Sequence, residues 1–148
     1  MLRASVVFLL LLGFWGWAYA QEVSYREHIR PILKERCLGC HGPDSPEYKA
    51  FKLRKAHYIA RGKGPRLDSY TYLVYFVGWQ DTGALMRRLD DGTNTPDGSP
   101  GNMYRYLGDT EAQRQRNLRL FKRWVGHWSL KRWGQWSLKE LQSLKLKY

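Results

Sequence analysis

The run Cys37-Leu38-Gly39-Cys40-His41 decides what the rest of this chain is built around. Two thiols separated by two residues can add to the two vinyl groups of one haem as thioethers. The imidazole that follows directly then lies under the iron as its proximal ligand. The expected chemistry is one-electron redox at iron, tuned by the protein. Other uses of the pair fit less well. Half of a zinc site needs a second pair of ligands, but there is no third cysteine, and His28, His57 and His127 are scattered. A thioredoxin-like pair needs a βαβ setting, whereas the residues around Cys37 read as helix. A disulfide across two residues would close a small, strained loop and constrain little.

The N-terminus fits export. Arg3 supplies a positive start, Ala4 to Leu12 is apolar apart from Ser5, and Ala18-Tyr19-Ala20 has the small-x-small pattern of a cleavage site before Gln21. Residues 1–20 are therefore read as a signal peptide. The alternative is an uncleaved anchor, since the largely apolar stretch from Ala4 to Ala20, 17 residues with two glycines, reaches the bottom of the spanning range of roughly 17–25. Export also fits the thiols, which in an oxidising compartment would pair if left unused. Beyond Ala20 the chain keeps 24 Lys and Arg against 13 Asp and Glu, a net +11. A field of that sign steers acidic partners and anionic surfaces toward the protein. Nucleic acid is set aside, because an exported haem protein would rarely meet it.

Ser24 to Arg36 has an apolar stripe of Ile29, Ile32 and Leu33 with Tyr25 one turn earlier. Ser24 and Glu27 form a capping-box pattern, and Pro31 marks a kink or restart. Gly42-Pro43-Asp44-Ser45-Pro46 is turn chemistry. Glu47 to Arg66 is basic and polar, and reads as a loop with one short helix. Ser69 to Trp79 is compatible with a strand by its aromatic and β-branched content, and with a helix by its Leu73, Phe76 and Val77 face. Thr82 to Leu89 reads as a short helix containing Met86. Asp90 to Asn102 is a loop on composition. Thr110 to Trp128 is the strongest helix, with Thr110 and Gln113 as a capping box and Leu118, Phe121, Val125 and Trp128 at helical spacing. Residues 129–148 form a basic, Trp-rich extension with a short helix started by Ser137 and Glu140. Such a tail marks either binding to a membrane surface or partner, or a segment folded back over the core.

The second axial ligand separates the functions open to this site. A thioether stabilises ferrous iron, a second imidazole lowers the potential relative to that, and an open position admits ligands. Met103 is the leading candidate, because it ends the long loop just before the strong helix and can reach across from the attachment helix. Met86 sits inside a helix and reads as core or surface. The remaining histidines are the other alternative.

In this order of elements the chain resembles the class I type monohaem cytochromes c. A helix leads into Cys37-x-x-Cys40-His41. Gly64-Pro65-Arg66-Leu67 is similar to the family's Gly-Pro-x-Leu segment. An aromatic-rich helix follows, then Pro100-Gly101-Asn102-Met103, then an aromatic C-terminal helix. The resemblance covers about residues 24–128. It implies a mainly α fold, a cytochrome c-like bundle of short helices around one covalently bound haem c, with 129–148 as an added helical extension. It favours a helix over Ser69 to Trp79. It also implies that the Pro65 carbonyl accepts a hydrogen bond from His41 and fixes its tautomer, and that Ile29–Leu33 packs against Leu118–Val125. The stretch from His41 to Pro65 is longer than in compact members, which leaves Pro43 as the alternative partner for His41. The extension is outside the common domain.

These observations imply an exported, periplasmic electron carrier rather than an enzyme. Cys37 and Cys40 would hold one haem, His41 and Met103 would ligate iron, and no residue would be catalytic. Its partners would be acidic redox proteins. The rivals are a haem subunit of a membrane oxidoreductase, held by the leader or the tail, and a haem enzyme or gas sensor with an open distal position.

Overall fold

The computed structural model describes residues 21–148; the leader read from residues 1–20 lies outside them. The described residues are helical and include no strand. A π-helical turn, Tyr25–Ile29, leads into α1 (Arg30–Arg36), and α2 (Leu38–His41) follows at once. Then come α3 (Tyr48–Leu53), α4 (Lys55–Ala60), α5 (Tyr70–Tyr75), α6 (Ala84–Leu89), a 3-10 turn (Tyr104–Leu107), α7 (Glu111–Val125) and α8 (Leu138–Gln142). None of these helices is long and apolar enough to cross a membrane.

The start of the fold follows from two side chains and one proline. Ser24 Oγ accepts the Glu27 N–H at 3.2 Å, as the capping pattern predicts. The return half of the box is supplied differently, because the Ser24 N–H donates to His28 Nδ1 at 3.1 Å rather than to the Glu27 carboxylate. Pro31 has no N–H to give, so a regular α ladder cannot run through it. The turn before it is wound as a π-helix, with the Arg30 N–H donating to Tyr25 O. Regular α-helix begins at Arg30, with the proline in its first turn, where a missing donor costs little.

α7 is the other pillar. Thr110 Oγ1 accepts the Gln113 N–H, and Gln113 Oε1 accepts the Asp109 N–H at 3.0 Å, a capping box displaced by one residue. Leu118, Phe121, Trp124 and Val125 of α7 are buried, and the π-turn residues Tyr25 and Ile29 are buried with them. α7 and the π-turn pack on one another, so the contact expected between Ile29–Leu33 and Leu118–Val125 is made from its Ile29 end. Gly126, at φ +83, ends α7, a conformation only glycine adopts freely. α5, capped by Ser69 through the Tyr72 N–H, adds Leu73 to the core, and Phe76 and Val77 follow it.

One region differs from the sequence reading, and a second takes one of its two alternatives, the fold back over the core. Residues 47–66 hold two short helices, α3 and α4, rather than one, and neither buries a residue. With no buried face there is no apolar period to read. The tail is woven into the core. The Lys145 N–H donates to Val125 O and the Leu146 N–H to Trp124 O, while the Tyr25 N–H donates to Lys147 O at 2.8 Å and the Arg26 N–H to Tyr148 O. Trp124 Nε1 donates to Lys147 O at 2.8 Å and the Tyr70 hydroxyl to Leu146 O. Tyr148 stacks on Tyr25 at 5.8 Å and meets Tyr70 edge-on at 5.2 Å. Trp133 nevertheless stays half exposed, edge-on to Trp79 at 4.8 Å.

Candidate haem-attachment site

Cys37 ends α1 and opens α2, so the motif is wound as helix from its first residue. The Cys40 and His41 N–H groups both donate to Cys37 O, at 3.1 and 3.0 Å. One turn therefore carries all three side chains, with His41 four residues from Cys37 and on the same face. Both cysteines are unpaired; Cys37 is half-buried and Cys40 exposed. Burial first, and the neighbouring Cys40 second, push the Cys37 thiol up to about 11.

The segment 64–67 is fastened to this turn residue by residue. The Gly64 N–H donates to Cys40 O at 2.8 Å, the Arg66 N–H to Pro46 O at 2.9 Å and the Leu67 N–H to His41 O at 2.8 Å. Pro65, with no donor, contributes its carbonyl instead, 2.6 Å from His41 Nδ1. Asp68 holds Arg66 through two hydrogen bonds, at 2.6 and 3.0 Å. With Nδ1–H committed to Pro65 O, the lone pair of the neutral ring lies on Nε2. Burial lowers the His41 pKa below its ordinary value, against the raising effect of the Pro65 bond, which favours that neutral ring. A Cβ on Gly64 would sit 2.1 Å from His41 Cε1, so only a residue without a side chain lets the segment lie this close. Pro43 is exposed in the turn after the motif.

These residues fit a covalently attached haem. Two unpaired thiols and an imidazole with a free Nε2 project from one turn, and the imidazole is already oriented by a carbonyl. They do not fit the competing uses of the pair. Among the described residues no three His, Cys, Asp or Glu side chains converge as a metal site would require.

Met103 is half-buried and packs against the edge of the core. Its N–H donates to Arg88 O at 2.9 Å, and the 3-10 turn that follows packs on α1 and α6. Met86 lies on α6 with no exposed surface, a core side chain. His28 is taken up in the helix start, His57 is exposed beside Tyr58, and His127 lies by Glu140 and Trp136.

The sequence reading missed the organiser of the Met103 loop. Asp90 is completely buried. Its Oδ1 accepts the Gly92 and Asn94 N–H groups at 2.9 and 3.2 Å. Its Oδ2 accepts Asn94 Nδ2 and Trp128 Nε1, both at 2.8 Å. Its own carbonyl accepts the Gly101 N–H at 2.8 Å, closing the loop base two residues before Met103. The Asp-x-Gly-x-Asn spacing is the one local signal that could have marked it as a turn organiser.

A family model described as PccH cytochrome c matches residues 24–148. A solved structure, the monohaem cytochrome PccH from Geobacter sulfurreducens, is similar to this chain with a TM-score of 0.82 and 53% identity, over 86% of this chain and 100% of that one. No curated protein matches. The match extends through the tail, in keeping with the tail's place in the core. A helical body, the paired thiols with their oriented imidazole, and a family match over nearly all the described residues lead to one assignment: the chain belongs to the PccH cytochrome c family, electron-carrying proteins with one covalently bound haem c.

Proposed function

We propose that this protein is an exported single-electron carrier. Cys37 and Cys40 would hold the haem as thioethers, His41 and Met103 would ligate its iron, and Pro65 would orient His41. The observation that carries the reading is the 2.6 Å approach of Pro65 O to His41 Nδ1 on the same turn as two unpaired thiols. The bound haem supplies a one-electron iron couple. The protein's part is to hold its ligands still. Pro65 fixes the His41 tautomer, and the bonds of residues 64, 66 and 67 fix the Pro65 segment. Asp90 fixes the base of the loop that delivers Met103. Ligands set by a rigid frame change little between oxidation states, which keeps electron exchange fast. No substrate has to bind. Export is supported by the leader pattern of residues 1–20, and acidic partners by the net +11 of the remainder.

The test is the optical spectrum of the ferric holoprotein beside that of Met103→Ala. The wild type is expected to show the weak red-edge charge-transfer band of a thioether on ferric haem, and the variant to lose it. A high-spin wild type without the band would favour an open distal position and an enzyme or sensor. A low-spin spectrum without it would replace Met103 by a histidine.

A further inference from the structure

Between the motif and the Pro65 segment, residues 48–63 leave the body of the protein and return. They carry Lys49, Lys52, Arg54, Lys55, Arg61 and Lys63 and not one acidic residue. Several cations elsewhere have carboxylate partners, among them Arg36 with Asp109, Arg66 with Asp68, Arg87 with Asp81 and Arg114 with Glu111, whereas this stretch brings no carboxylate of its own. Among the described residues none of the six is in an ion pair. Neither α3 nor α4 buries a side chain. Leu53 is 78% and Ile59 55% exposed, so the same short stretch carries both cations and apolar groups that the protein itself does not cover.

Such an arrangement is unfavourable in isolation. Like charges on neighbouring turns repel, and exposed branched aliphatics gain nothing from folding. Its ends are nonetheless firmly held. The Tyr48 hydroxyl donates to Asp81 Oδ2 at 2.6 Å, and the Tyr48 ring packs edge-on to Tyr75 and Phe76. At the other end Lys63 Nζ reaches Gly39 O and the Gly64 N–H bonds Cys40 O. The excursion is thus rooted on the attachment turn, beside Cys40, the more exposed of the two thiols.

We propose that α3 and α4 form the docking surface for an acidic redox protein, with Leu53 and Ile59 as its apolar centre and the six cations as its rim. This deepens the carrier reading and rests on it. The six unpaired cations call for a partner with clustered carboxylates. The root beside Cys40 would bring that partner next to the turn that would hold the haem, within reach of its one-electron couple. A lipid surface would need no such placement.

The experiment uses mature holoprotein and reduced flavodoxin, an acidic one-electron donor protein, as probe. Three proteins are compared: wild type, the quadruple variant K49Q/K52Q/R54Q/K55Q, and R116Q/R119Q/R132Q/K139Q, which removes the same charge from exposed positions elsewhere. At low salt the α3–α4 variant is expected to be reduced about 10-fold more slowly than wild type, and the control variant less than about 2-fold. The rates converge at high salt as charges are screened. Reduction by a neutral hydroquinone and the midpoint potential stay the same in all three. Leu53→Gln is expected to slow the flavodoxin reaction even at high salt.

Equal slowing of both quadruple variants, or of neither, would overturn the docking assignment and leave the carrier reading standing. Loss of sedimentation with phosphatidylglycerol vesicles in the α3–α4 variant, with its flavodoxin rate unchanged, would overturn it in favour of a lipid surface. A wild type that neither donor reduces would instead sink the carrier reading itself, and this assignment with it.

Discussion

His41 is oriented from one side by the Pro65 carbonyl and crowded from the other by Gly64. The smallest informative change is therefore Gly64→Ala. The added methyl meets the imidazole well inside van der Waals contact, so the ring has to turn and the bond to Pro65 O has to break. Lower haem content per chain and loss of the thioether band are expected; a variant with full haem and an unchanged spectrum would show that the ring has room to yield. Asp90→Asn tests the opposite side of the site. The amide keeps the shape but sets an NH2 group against the donors that converge on the carboxylate, and a buried mismatch of that kind costs about 1–3 kcal/mol. Weakening of the thioether band at a pH where wild type retains it would link the loss to Met103 rather than to general stability. Of these residues only the motif could be read directly. Cys37, Cys40 and His41 announce themselves by spacing, whereas Asp90 depends on Trp128, 38 positions away, and no local pattern reveals that contact.

Helix ends were legible because capping is local chemistry. Ser24, Thr110 and Ser137, all read as caps, and Ser69, which was not, each accept the N–H three residues on, and replacing such a cap costs about 1 kcal/mol. Thr110→Ala should lower the stability of the holoprotein by that amount in a denaturant titration, with the spectrum unchanged. A second link joins the loop of residues 90–102 to α7. Asp91 accepts Thr93 Oγ1 at 2.5 Å and Gln115 Nε2 at 3.0 Å and faces Lys122 at 3.7 Å. Burial raises its pKa, but the hydrogen bonds from Thr93 and Gln115, helped by Lys122, outweigh burial and hold it at about 2. A depressed carboxylate stabilises the fold above its unfolded value, near 3.8, and loses that contribution as pH falls toward 2. Wild type should therefore lose stability between about pH 4 and 2, and Asp91→Asn should flatten that part of the curve. Helices α3 and α4 were the least legible elements, because a helix without a buried face has no period to detect.

At the scale of the molecule the tail is structural. Lys147 O is the acceptor for both Trp124 Nε1 and the Tyr25 N–H, and Leu146 O for the Tyr70 hydroxyl. Deleting residues 143–148 would leave those donors without partners and uncover Tyr25 and Trp124. Each buried donor so orphaned costs about 1–3 kcal/mol, a large share of the 5–15 kcal/mol or so that holds a domain folded. The truncated holoprotein should melt far below wild type or fail to accumulate, and an unchanged melting temperature would show the tail to be an ornament. Tyr70→Phe is the mild version, expected to cost about 0.5–1.5 kcal/mol. Sequence alone showed a basic, Trp-rich extension. A fold back over the core was one of its two readings, but the residues that make it could not be read, because backbone carbonyls carry most of the contact.

The closing strand of contacts also sets an order of events. A ribosome delivers this chain from its first residue to its last, and the core beside Tyr25 and Trp124 is completed by residues 145–148. The thiols at 37 and 40 lie about a hundred positions before those residues. Throughout that interval the chain is open, and Cys37, half-buried once folding ends, is still within reach. A haem joined to those thiols would thus meet the most open chain before residues 145–148 are in place.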